Sequence, residues 1–193
     1  MTRDSLVEKP IMKVLGLLGG MTFEATTVYH GVINRHVRNQ LGPRRSALLF
    51  LYSADLETML ELAAAGRSDA FADVYVRAAH AMVQGGAQTM VLTAIIAHGA
   101  AEHIERQIAP VPLLHIADFV GAEIKTRGFQ RVALLGMKVA MEGAFFKGRI
   151  EAKFSGTQVL IPRPEEREEV HERIVTEVTT GKVSAETKYC KMN

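Results

Sequence analysis

The chain has 193 residues, 48% hydrophobic and 23% charged, an ordinary globular composition that excludes wholesale disorder. Lysine and arginine number 23 against 21 acidic residues, and a net charge of +2 makes no case for nucleic acid or a membrane surface as partner. One cysteine, Cys190, excludes an internal disulfide and a cysteine-rich metal centre, and no apolar run reaches the ~18–20 residues of a membrane span. Residues 1–11 are polar and without period. They read as a loose leader lacking the apolar stretch of a secretory signal, so a soluble cytoplasmic protein is expected.

Val14 to Leu18 is a short apolar run closed by Gly19-Gly20, the pattern of a buried parallel strand. Thr22 can cap a helix over 23–41, where Ala25, Val28, Tyr29, Val32, Ile33 and Val37 recur at helical spacing. Strands follow at 46–52 and 89–93, separated by helices at 56–65 and 69–84, the second ended by Gly85-Gly86. A helix at 102–108 stops before Pro110. The chain then alternates strand 113–116, helix 118–126 with Asp118 as cap, strand 131–135, helix 141–153, strand 158–161 and a charged helix 165–180.

Strand and helix in alternation predict the α/β class, with a parallel sheet that binds ligands beyond the carboxyl ends of its strands. Residues just after each strand are therefore the candidate pocket walls for a small-molecule ligand: Gly20, Met21, Tyr52, Ser53, Thr93, His98 and Lys138. Gly16-x-x-Gly19-Gly20 offers backbone amides to a phosphate at a helix N-terminus, or simply makes a tight turn. It matches neither common phosphate-binding fingerprint. His98 reads equally as a structural hydrogen-bonder. No His-x-x-x-His, Cys-x-x-Cys or Gly-x-Ser-x-Gly is present, so neither a metal centre nor a serine nucleophile is expected.

Two strand ends resemble each other. Val14 to Met21, followed by Glu24, is echoed by Val132 to Lys138, followed by Met141-Glu142. The repeat predicts two similar parallel-sheet α/β domains, 12–112 and 113–193, the second incomplete because the counterpart of the third strand would fall beyond Asn193. An incomplete second sheet would leave an open edge and an uncovered apolar face. A marginally stable protein, prone to aggregate or to form a homo-oligomer, is then expected.

Several segments carry a family resemblance. Leu17-Leu18-Gly19-Gly20-Met21-x-x-Glu24-Ala25-Thr26, Leu51-Tyr52-Ser53-Ala54-Asp55-Leu56 and Leu114-His115-Ile116-Ala117-Asp118 resemble segments of the aspartate/glutamate racemase family, in that order. Ala133 to Lys138 with Met141-Glu142, Phe146-x-Gly148-Arg149 and Ile161-Pro162 with Glu166-Arg167 continue the resemblance. It implies a cofactor-independent racemase: a base on each face of Cα removes and returns its proton, and the active site lies between two domains. A Cα–H is a very weak acid, so both bases must be positioned, with donors for the carboxylates of an acidic amino acid.

The departures fall on that chemistry. The family's first thiol stands in Cys-Asn-Thr-x-His. Aligned on His98, the thiol position is Ala94, the Asn is Ile95 and the Thr is Ile96. Some members use threonine as this base, so Thr93, one residue upstream, is the single candidate catalytic group. On a strand it should point away from Ala94. The second thiol belongs to a Gly-Cys-Thr-Glu pattern that Cys190 does not match, and Glu169 stands where the family often has a positively charged residue, which would make an acidic substrate less welcome. The sequence thus predicts a racemase-family protein with impaired or lost activity. The alternative is a catalytically inactive relative acting by ligand binding or partner interaction. A different enzyme on the same scaffold, of the kind that keeps one thiol, is opposed by the absence of any aligned thiol.

Overall fold

In the computed structural model, which describes residues 12–188, β1 (Leu15–Gly20) lies at the centre of a parallel sheet. Its neighbours are β2 (Leu49–Ala54) and β3 (Thr89–Leu92), and β4 (Leu113–Leu114) adds to β3, giving the order β2-β1-β3-β4. Burial on both faces explains the apolar sequence of β1, where Leu17 and Leu18 are fully buried. Helix α1 (Phe23–Leu41) crosses from β1 to β2, and α2 (Leu56–Ala64) and α3 (Ser68–Gln84) cross from β2 to β3. Tyr75, Ala79 and Met82 of α3 join Leu18, Met90 and Leu92 in the first core. A 3-10 turn (Ile96–Ala100) and α4 (Ala101–Ile108) lead to β4.

The expected boundary between residues 112 and 113 falls at the edge strand of this sheet, because β4 hydrogen-bonds to β3. Helix α5 (Ile116–Thr126) leaves the sheet and packs with α7 (Lys147–Lys153) over a second core of Ala117, Ile124, Phe146, Ile150 and Val159. That core faces two further parallel strands, β5 (Arg131–Ala133) and β6 (Gln158–Leu160). Helix α8 (Pro164–Arg173) follows, continues through a widened turn (Ile174–Val178), and the described chain closes with α9 (Ala185–Lys188). The α/β class with a parallel sheet is as expected; the sheet has four strands because β4, assigned by the sequence to the second domain, pairs with β3. Among the described residues, β1 is paired on both edges and β5 on one.

Three local expectations are corrected. The helix expected at 141–153 is two helices, α6 (Lys138–Glu142) and α7, with Gly143 between them in extended backbone. A Cβ at Gly143 would overlap the Phe145 ring two residues on and the Val139 carbonyl. Thr22 stands at the N-cap of α1 but its side chain makes no capping bond. Asp118 does not cap α5. His115 does, its Nδ1 accepting from the Ala117 amide at 3.3 Å. Cys190 lies outside the described residues.

Candidate functional site

The turn after β1 is built from two successive left-handed residues, Gly20 at φ 84° and Met21 at φ 60°. Gly20 is required there, since a Cβ would overlap the backbone of Ala54 as well as strain the conformation. The Met21 amide donates to the Ala54 carbonyl at 2.9 Å, tying the turn to the end of β2, and the Met21 side chain is buried in the first core. Gly19 admits no side chain either, because the hydroxyls of Thr26 and Thr93 converge on the space a Cβ would fill.

Those two threonines form the polar centre of this end of the sheet. Thr26 Oγ1 accepts from the Gly20 amide at 3.1 Å and shares a hydrogen with Thr93 Oγ1 at 2.8 Å. Both residues are buried, Thr26 at 3% exposure and Thr93 at 5%. The Thr93 amide donates to the Leu18 carbonyl at 3.0 Å. The Thr93 hydroxyl therefore points beneath the first turn of α1, and its bond joins α1 to β3. Ala94, the next residue, is half-buried and packs at the margin of the first core.

His98 is turned to the other side. Its Nδ1 lies 3.0 Å from the Ala94 carbonyl and 3.2 Å from that of Ile95, while Nε2 accepts from the Ile116 amide at 3.3 Å. Only one tautomer serves all three contacts: hydrogen on Nδ1, lone pair on Nε2. Burial lowers its pKa, outweighing the two carbonyls, so the ring is neutral. It stands edge-on to His115 at 4.5 Å between centroids. Burial, followed by His98 and Arg149, pushes His115 down to about 4. His98 thus bridges the 3-10 turn to α5. Nearby, Arg149 grips Asp118 with two bonds of 2.6 and 2.8 Å and Lys153 adds a third at 2.7 Å. The Arg149 guanidinium, with Lys153, holds the Asp118 carboxyl well below the usual carboxylate range.

The remaining candidates separate. Tyr52 stacks edge-on to Tyr75 at 6.5 Å and borders a groove with Phe50, Leu51 and α3 on the edge of the sheet. Ser53 is exposed opposite Gly19. The Lys138 ammonium is bonded to Glu168 of α8, which raises its pKa. Gly20, Met21, Ser53 and Thr93 thus share the strand ends, whereas Tyr52, His98 and Lys138 are directed elsewhere.

None of the seven candidate residues lines the cavity of about 480 Å³ that opens between α3, the 3-10 turn and α6. Its walls are Phe71, Ile96, Ala100, Val139 and Phe145, with Ser68, Asp69 and His103 as its polar groups. Ile96 and Val139 lie within the stretches just after strands, 93–98 and 136–142, to which the strand-end rule points. Phe71 and Phe145 read in sequence only as helix residues. The lining holds no lysine or arginine, and its single carboxylate, Asp69, disfavours an anionic ligand. Among the described residues no group of three or more His, Cys, Asp or Glu could hold a metal ion, and no helix is long and apolar enough to cross a membrane.

The sequence profile of the Asp/Glu/hydantoin racemase family matches residues 18–190. A Yersinia pestis protein assigned as an Asp/Glu racemase is 37% identical, with a TM-score of 0.82 over 92% of this chain and 76% of that one. An aspartate racemase homologue from Pyrococcus horikoshii OT3 is 27% identical, with a TM-score of 0.70 over 89% of this chain and 74% of that one. An aspartate racemase from Picrophilus torridus, 17% identical, shares the fold with a TM-score of 0.69 over 91% of this chain and 70% of that one. Profile, fold and the ordered motifs agree: the chain belongs to the Asp/Glu/hydantoin racemase family.

Proposed function

We propose that this protein is a racemase-family member whose proton transfer at Cα of an acidic amino acid is lost or strongly impaired. The observation that carries the reading is Ala94 at the position where the family resemblance expects the first base. A methyl group cannot exchange a proton. The nearest hydroxyl, Thr93, is buried and bonded to Thr26. A threonine hydroxyl is a weak base unless a neighbouring group takes its proton, and Thr26 offers only another hydroxyl. Thr93 is on this reading a structural residue. His98 is held neutral with both ring nitrogens engaged, and Lys138 is neutralised by Glu168, so neither supplies a free cation for a substrate carboxylate.

A second reading, a catalytically inactive relative that binds a small molecule or a partner, is favoured by the apolar cavity beside Ile96 and Val139. It resembles the concave, mostly apolar sites that bind small ligands. A cytoplasmic setting accompanies both readings, since a single cysteine makes no use of an oxidising compartment. The test is incubation of the purified protein with L- and D-aspartate and L- and D-glutamate, followed by chiral chromatography, alongside calorimetric titration. No enantiomer conversion above the blank and no micromolar dicarboxylate binding are expected. Saturable conversion, or micromolar aspartate affinity, would overturn the proposal.

A further inference from the structure

Each of the two cores contributes one aromatic ring to the wall of the cavity between α3, the 3-10 turn and α6. Phe71 packs against the first core and Phe145 against the second. Both rings are held in place by neighbours. The Phe71 ring stands 5.9 Å from that of the fully buried Tyr75. The Phe145 ring lies so close to the Gly143 backbone that an added Cβ would overlap it, and a Cβ at Gly99 would touch it at 3.6 Å. Ile96 and Val139 extend this apolar wall.

The polar groups of the cavity share one capability. Ser68, Asp69 and His103 line it, and none of their side chains has a hydrogen-bond or ion-pair partner among the described residues. A carboxylate accepts hydrogen bonds, and a hydroxyl and an imidazole can each do so. No lysine or arginine balances the Asp69 carboxylate within the lining. The helix dipole favours an acidic residue in the first turn of α3, which accounts for Asp69 taken alone. It does not account for two phenyl rings sharing an open space of about 480 Å³ with that carboxylate. Aromatic faces attract cations, and a carboxylate beside them adds to the attraction.

Resting on the reading that this cavity binds a small molecule, we propose that its ligand class is the arylalkylamines. The protonated amine pairs with Asp69 and donates to the acceptors beside it. The aryl body lies against Phe71, Phe145, Ile96 and Val139. An anion of the same shape meets Asp69 and finds no cation in the lining, so the preference is the reverse of a dicarboxylate site.

Three indoles of one shape and different charge test this: tryptamine, the neutral tryptophol and the anionic indole-3-acetate. The chain contains no tryptophan, so indole emission reports the ligand alone, and its anisotropy is followed as the full chain is added. Tryptamine should saturate with a dissociation constant below about 1 mM, at least about fivefold tighter than either analogue. Asp69→Asn should weaken tryptamine about threefold or more, leave tryptophol unchanged and abolish the salt dependence of tryptamine binding. Val139→Lys, at a position already 50% exposed, places a cation in the wall and should weaken tryptamine about tenfold. Circular dichroism confirms the fold of each variant. Tryptophol or indole-3-acetate binding as tightly as tryptamine would overturn the assignment to amines while leaving a small-molecule site in place. No saturable change with any of the three would overturn both. Tryptamine binding unchanged in Asp69→Asn and Val139→Lys would put the ligand elsewhere and overturn the proposal.

Discussion

Replacing Thr26 by valine removes one hydroxyl and little else, since the two side chains have nearly the same shape. Thr26 is 3% exposed and its Oγ1 holds both the Gly20 amide, at 3.1 Å, and the Thr93 hydroxyl, at 2.8 Å. Valine leaves the buried amide and the buried hydroxyl without this partner. An orphaned buried group costs about 1–3 kcal/mol, so Thr26→Val should cost about 2–4 kcal/mol. Thr93→Val removes only the outer bond and leaves Thr26 still accepting from Gly20, so its cost should be about 1 kcal/mol. Since the two residues share a bond, the double variant should be less destabilised than the sum, by about 1 kcal/mol. Urea unfolding followed by circular dichroism measures all three. A Thr93→Val variant as stable as wild type would refute the reasoning, because it would show the Thr93 hydroxyl free to act elsewhere. Additive costs would refute the bond itself.

Three further outcomes follow from the second core and its surroundings. Gly121→Ala should destabilise by about 1–3 kcal/mol in the same assay, because its Cβ would overlap the Phe154 ring packed on α5. Asp118→Asn weakens the bidentate grip of Arg149 and should cost about 1 kcal/mol at neutral pH. The gap from wild type should close as pH falls below the ordinary carboxylate range, since a depressed carboxyl contributes only while ionised. His115 is pushed down to about 4, chiefly by burial, while in the unfolded chain it has an ordinary imidazole pKa near 6.5. The unfolded state therefore binds more protons between those values. Stability should fall as pH drops from about 6.5 to 4, by on the order of 1–2 kcal/mol. His115→Asn, which keeps an N-cap acceptor, should flatten that slope in urea midpoints measured across the range.

How far the sequence discloses this fold depends on whether the deciding interactions are local. Helix α1 is expected at 23–41 and observed as Phe23–Leu41, because its start after a glycine turn and its end at Gly42 are local signals. The strand–helix alternation is equally legible, and the tight turn at Gly20 is one of the readings its sequence leaves open. The division of α6 from α7 is not, since the apolar spacing runs on through the break and only the extended backbone of Gly143 marks it. Asp118 looks like a cap by residue type, yet the helix starts two residues earlier and its carboxylate pairs with Arg149, 31 positions later in the chain. His98 is directed by Ile116, 18 residues away, and Lys138 by Glu168, 30 residues away. Strand-end position singled out these residues as candidates. It could not say which way a side chain turns when its partner is distant in sequence.

The central claim is that no group among the described residues stands ready to take a proton from Cα, and solvent exchange addresses it more directly than racemisation, because a single working base suffices for exchange. The purified protein is incubated in deuterium oxide with each enantiomer of aspartate and glutamate, and deuterium at Cα is read by proton NMR. The account predicts incorporation no faster than in the protein-free blank. Incorporation that saturates with substrate and vanishes in Thr93→Ala would contradict it, and would make Thr93 a working base.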